Sequence, residues 1–166
     1  MIKIQNKLTK LIAMIVFLTA GNVYSRELPN GFRGLTWGSS LSALGHDITP
    51  LTEGRILAPN EKCFSRMSDK LEFDGSPLTA IEYCYYKGKL YSVNLIALDA
   101  YKPFIEASLV KAFGPSNNGF WGSGASTSPT IAFLAHIGST ARLMLSSRKI
   151  IMEQRNDAAE KVLKSF

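Results

Sequence analysis

Imidazoles and thiols are the scarcest reactive groups in this 166-residue chain: two histidines, His46 and His136, and two cysteines, Cys63 and Cys84. The histidines follow no H-x-x-x-H or H-x-H spacing, and two thiols alone do not fill the four-ligand set of a structural zinc site. No C-x-x-C pair suggests redox chemistry, and no G-x-S-x-G elbow presents a nucleophile. The glycine- and serine-rich stretch at 122–126 lacks the Lys-Ser/Thr ending and the following helix of a phosphate-cradling loop, so it reads as a flexible loop. Carboxylates close in sequence, Glu72/Asp74 and Glu153/Asp157, fall at expected turns and helix starts. Asp69-Lys70 is a turn-like charge pair. Solvated caps explain these better than acid–base pairs, which need burial to separate their pKa values. The expectation is therefore no catalytic residue, no metal and no cofactor. A hydrolase whose residues meet only in three dimensions stays the least favoured reading.

Long apolar runs are also scarce. The one at the start, 11–20, spans ten residues after a positive region holding Lys3, Lys7 and Lys10. That is short for a membrane-spanning helix and suits a signal peptide. Val23 and Ser25 fit the small-residue sites of a signal peptidase, placing cleavage after Ser25. Residues 1–25 are then a signal peptide and 26–166 a single domain. With no cysteine near the cleavage site, a lipid anchor is not expected, and no later run of eighteen apolar residues suggests a transmembrane segment. Removal of 1–25 takes away three lysines and no acid, so the net charge falls from +6 to +3. That mild excess is no nucleic-acid footprint.

What is present fits export. An oxidising compartment favours pairing of Cys63 with Cys84 across 20 intervening residues; two buried free thiols are the alternative. The stretch 78–98 reads as two strands with a turn at Lys87-Gly88. A three-residue loop, Tyr86-Lys87-Gly88, would set Tyr83 opposite Tyr91 and Ile81 opposite Val93, with Gly88 at a bulge. A two-residue loop would place Cys84 across from Tyr91 and an apolar face against a polar one. The period of two favours the first register.

Around this hairpin, 32–37 reads as a first strand and Ser39 as the cap of a short helix ended by Gly45. Residues 46–61 read as a loop with a strand at 55–57. Short strands are expected at 63–67 and 70–73, with a turn at 74–77. Asp99 is placed to cap a helix at 100–113. Its stripe is Tyr101, Phe104, Ile105, Leu109, Ala112 and Phe113, and Gly114-Pro115 stops it. A second hairpin is expected over 130–146 around Ile137-Gly138, then a short strand at 150–153, then a terminal helix capped by Asn156 or Asp157. The fold class is α+β: an antiparallel sheet built on β-hairpins with helices packed on one face.

Two aromatic groups are candidate contact residues. Phe120 and Trp121 sit on a glycine-rich loop, where they either fold back as a plug or face a partner. Of the tyrosines crowding the first hairpin, Tyr86 at the turn is expected to be exposed.

The run Phe32-Arg33-Gly34-Leu35-Thr36-Trp37-Gly38 resembles the opening F-x-G-x-x-W-G-(S/T)-x-L of a largely uncharacterised family of small exported bacterial proteins. The likeness continues through Ser65-Arg66-Met67, Asp69-Lys70-Leu71, Ile81-Glu82-Tyr83, Tyr86-Lys87-Gly88-Lys89-Leu90 and Phe113-Gly114, and ends at Ser146-Ser147 and Ile150. These are residues of strands, turns and helix stops. The resemblance implies a periplasmic α+β domain, similar to the helix-on-sheet units of β-lactamase-inhibitor-type proteins, and no settled activity.

The functional expectation is a non-enzymatic periplasmic binding protein, an inhibitor or immunity protein for an envelope-acting toxin or enzyme. Its partner is another protein of the cell envelope, met through Phe120, Trp121 and Tyr86. The alternative is an accessory component of an envelope or secretion assembly, expected to display a broad apolar patch rather than one loop.

Overall fold

The computed structural model describes residues 27–51, 59–122 and 127–164. The signal peptide expected at 1–25, the strand expected at 55–57 and the core of the glycine-rich loop lie outside these residues. The elements in chain order are β1 (Gly31–Phe32), β2 (Leu35–Thr36), a 3₁₀ turn (Leu41–Leu44), β3 (Ile48–Pro50), β4 (Glu61–Arg66), β5 (Glu72–Phe73), β6 (Ser76–Pro77), β7 (Ala80–Tyr86) and β8 (Lys89–Leu98). A second 3₁₀ turn (Asp99–Tyr101) follows, then α1 (Lys102–Phe113), β9 (Phe120–Trp121), β10 (Thr130–Ile137), β11 (Thr140–Ser147) and α2 (Arg148–Leu163). Seven strands form one antiparallel sheet in the order β3-β4-β7-β8-β11-β10-β9. The fold is α+β, with two long hairpins meeting at the β8–β11 seam.

The first hairpin achieves the expected match of apolar faces by a different device. The loop has two residues: Tyr86 pairs with Lys89, and Lys87 and Gly88 have φ of 49° and 77°. Both central residues of a type I′ turn require positive φ, and glycine meets that demand at no steric cost. Left unbroken, this register would set polar against apolar positions. A bulge corrects it. Tyr85 faces Leu90 and Cys84 faces Ser92, so Tyr91 is the extra residue. Beyond it Tyr83 pairs with Val93 and Ile81 with Leu95. The sequence-based Tyr83–Tyr91 pairing is thereby replaced, because the bulge falls on β8 rather than in the loop.

One face of the sheet carries the core. Ile81, Tyr83, Tyr85, Leu90, Val93, Leu95, Leu143, Leu145, Ala132 and Leu134 all belong to a single buried cluster. Ile105 and Leu109 of α1 cover it, with Leu28, Leu35 and Leu44 of the N-terminal segment. Phe104 departs from the expected stripe and is 63% exposed: α1 buries only a narrow face. Asp99 does not cap α1; its carboxylate accepts from His136 Nδ1 at 2.6 Å.

Residues 32–37 form no continuous strand. They fold into the small β1–β2 hairpin, turning at Arg33-Gly34 with φ of 46° and 81°. Gly31 is indispensable here: a Cβ at this position would lie 1.9 Å from the Leu35 carbonyl oxygen. Trp37 then donates its indole N–H to Thr130 Oγ1 at 2.6 Å. The backbone N–H of Gly38 donates to the Leu90 carbonyl, and the Leu90 N–H donates to Ser39. The short helix begins after Ser40, while Ser39 Oγ donates back to the Thr36 carbonyl. The strand expected at 150–153 is instead the first turn of α2, because Ser147 Oγ, not Asn156 or Asp157, accepts from the Ile150 N–H and starts the helix there.

Cys63 and Cys84 are bonded, Sγ to Sγ at 2.06 Å, directly across the β4–β7 pair. Both are 2% exposed. Replacing both with alanine is expected to lower the unfolding free energy by about 3 kcal/mol, the loop-closure entropy returned to the unfolded chain. The urea midpoints of the double variant and of the native protein, with and without reductant, measure it. A reductant-insensitive native midpoint equal to that of the variant would refute the bond's stabilising role.

Candidate functional site: an open sheet face

The face opposite the core is built from the alternate residues of the same strands. On β8 these are Asn94, Ile96 and Leu98; on β11, Thr140, Arg142 and Met144; on β10, Ile131, Phe133, Ala135 and Ile137; on β9, Phe120. The β-register places them in rows. Phe120 lies beside Phe133, Phe133 beside Met144, and Met144 beside Asn94. Ala135, Arg142 and Ile96 form the next row.

These side chains are largely apolar yet keep contact with water. Ile131, Phe133, Met144 and Ile96 are half-buried, Phe120 is 38% exposed, and Leu98 and Ile137 are each 52% exposed. The Phe120 and Phe133 rings stack with centroids 4.1 Å apart and planes 19° from parallel. Antiparallel sheets ordinarily present polar side chains on a face that stays wet. Here the wet face is apolar over four strands.

Arg142 sits within it. Among the described residues it forms no ion pair, and its Nε–H is buried without an acceptor. A guanidinium so placed is an unmet demand for a carboxylate or carbonyl oxygen.

The other end of the same face is closed. Ser92 and Ser146 share a hydrogen bond of 2.9 Å, and Asn94 donates to Glu82 Oε2 at 3.2 Å, all four residues being buried. The Tyr86 phenol donates to Asp157 of α2 at 2.5 Å, Lys87 pairs with Asp157 and Lys89 with Glu153. Lys87, then Tyr86, hold the Asp157 carboxyl below its ordinary range. Tyr91, freed from the ladder by the bulge, donates to Glu61 at 2.5 Å; burial, then that bond, push its phenol up. Helix α2 thus meets the hairpin on the side of Tyr86, away from the core cluster.

No family model matches the chain, and no curated protein or solved structure matches it either.

The candidate residues read from the sequence divide accordingly. Trp121 folds back: it is 3% exposed, and its indole N–H donates to the Gly114 carbonyl at 2.9 Å. Phe120, one residue earlier on the strand, points the other way and lies on the open face. Tyr86 is 3% exposed rather than surface-borne, because α2 covers the hairpin tip. Cys63 and Cys84 are brought together. His46 is exposed, and His136 meets Asp99 on the surface, where the two side chains are 56% and 42% exposed. The wider face escapes sequence reasoning. Its one signal is that β10 is apolar at successive positions, Ile131 to Ala135, where a strand with one wet face alternates.

Proposed function

We propose that this chain is a non-enzymatic, exported protein-binding domain whose partner sits on the open face of β8, β11, β10 and β9. The observation that carries the reading is the unpaired Arg142 set among half-exposed Ile96, Met144, Phe133 and Phe120. A central arginine ringed by aromatic and aliphatic groups has the composition of an interface hot spot. The partner chemistry that fits is an apolar surface carrying one carboxylate opposite Arg142. Export is supported by the disulfide and by the signal-like residues 1–25; among the described residues no helix is long and apolar enough to cross a membrane. Within this reading the domain acts as an inhibitor or immunity protein for an envelope-acting enzyme or toxin. The breadth of the apolar area favours a second reading, an accessory subunit of an envelope assembly, since it extends over four strands rather than one loop.

The test is capture from periplasmic extract by the tagged protein, compared with Phe133→Asp, Arg142→Glu and, on the opposite side, Phe104→Ala. A stoichiometric partner is expected with the native protein and with Phe104→Ala, and at least tenfold weaker capture with each substitution in the face. Recovery of no partner under several growth conditions, or capture indifferent to both face substitutions, would overturn the proposal. An isolated enzyme or toxin whose activity falls on titration supports the inhibitor; a multi-component complex supports the accessory subunit.

A further inference from the structure

On the core side of the sheet, a cavity of about 550 Å³ opens between α1, the N-terminal segment and the β5–β6 turn. Its floor is Leu145 of central strand β11 and Leu109 of α1, both within the buried core. Its walls are the rings of Phe32, Phe73 and Phe113. The cavity therefore reaches from the exposed lip of α1 and the β5–β6 turn to side chains of the buried core. A depth of that kind suits one chain or ring, not the flat surface of a protein, and the volume falls in the range of small-molecule sites.

The lip carries two exposed charges of opposite sign, Lys111 in the last turn of α1 and Asp74 in the β5–β6 turn. Among the described residues neither forms an ion pair. An anionic head group is drawn to Lys111 and repelled by Asp74, and a cationic one the reverse; a group bearing both charges pairs with both, and a neutral one opposes neither. We propose that this cavity binds a single-chain amphiphile with a zwitterionic or neutral head, its apolar chain passing between the three phenylalanines to Leu145. The inference is independent of the open sheet face, which lies on the other side of the molecule.

The test is calorimetric titration of the protein with decylphosphocholine below its micelle concentration, alongside decanoate and decyltrimethylammonium. One-to-one saturation is expected, with both singly charged heads at least tenfold weaker. Ser108→Trp and Ala112→Trp, which place an indole in the mouth, are expected to weaken binding at least tenfold, and Val110→Trp, on the exposed side of α1, to leave it unchanged. Asp74→Asn should improve decanoate relative to the zwitterion, and Lys111→Met should do the same for the cationic head. Absence of saturable binding overturns the proposal, as does binding that both mouth-filling variants leave intact at native melting temperature. Equal affinity for all three heads removes the assignment to the lip. Co-sedimentation with phosphatidylcholine vesicles separates the sources: vesicle binding without uptake of the free amphiphile would make this a membrane-surface contact and also overturn the site.

Discussion

Asp69→Ala is expected to lower the unfolding free energy by about 3–5 kcal/mol, the loss that follows when one partner of a buried charge cluster is removed. The Asp69 side chain is 2% exposed. Its Oδ2 accepts from the Tyr83 phenol at 2.7 Å, and its Oδ1 accepts from Arg66 Nε and Nη2 at 3.1 and 2.6 Å. Arg33 approaches the same oxygen at 3.5 Å and donates to the Glu72 carbonyl. One carboxylate thus joins the β1–β2 turn, β4, β7 and the start of β5. Without it, two guanidiniums lose the carboxylate they share, leaving only the weaker influence of Asp47 on Arg66 and of Glu72 on Arg33, and the hydroxyl of fully buried Tyr83 keeps only Arg66 at 3.4 Å. Burial, then the bond to Asp69, push that phenol up. Urea unfolding measures the loss. Tyr83→Phe, which spares the ion pairs, should cost about 1 kcal/mol, and Asp74→Asn, at an exposed turn whose φ of 46° asparagine tolerates, within about 0.5. A loss below about 1 kcal/mol for Asp69→Ala would mean that the cluster does not hold these elements together.

Trp121→Ala and Phe120→Ala, one residue apart, should give very different results. Trp121 belongs to the core cluster and satisfies the Gly114 carbonyl, which lies just past the end of α1. Its truncation leaves a cavity and an orphaned acceptor, and should cost about 3–5 kcal/mol. Phe120 loses mainly its stacking on Phe133 and part of its burial, about 1 kcal/mol. In a partner-binding assay the order inverts: Phe120→Ala weakens capture directly, while Trp121→Ala acts only as far as it unfolds the domain. Equal urea midpoints for the two variants would end the assignment of Trp121 as an anchor.

Local periodicity made much of this fold legible. The two hairpins, α1 and its Gly114 stop follow from spacing and turn chemistry, and the disulfide from cysteine number with a signal-like N-terminus. What escaped depends on distant partners. The Tyr91 bulge could not be placed because the period of two demands only one extra residue near the turn, and a residue in the loop meets that demand as well as one in β8. Asp69-Lys70 looks like a turn pair because Arg33 and Tyr83 are brought to Asp69 only by folding. The start of α2 reads as a strand because Ile150 and Ile151 are β-branched and its cap, Ser147, is also the last residue of β11. The open face was hidden for a different reason. Apolar residues on both sides of β10 look like core on both sides, and nothing in the sequence says that α1 and α2 leave one of those sides uncovered.

The ties of the N-terminal segment also order events in time. Gly38 and Ser39 hold Leu90, Trp37 holds Thr130 across 93 positions, and the Pro29 carbonyl accepts from the Thr130 hydroxyl across 101. A chain synthesised from its N-terminus produces these residues first and has nothing for them to bind until most of the sheet has followed. The segment 29–39, made well before its partners, is thus among the last to be seated, and its docking waits on the pairing of β7, β8 and β10.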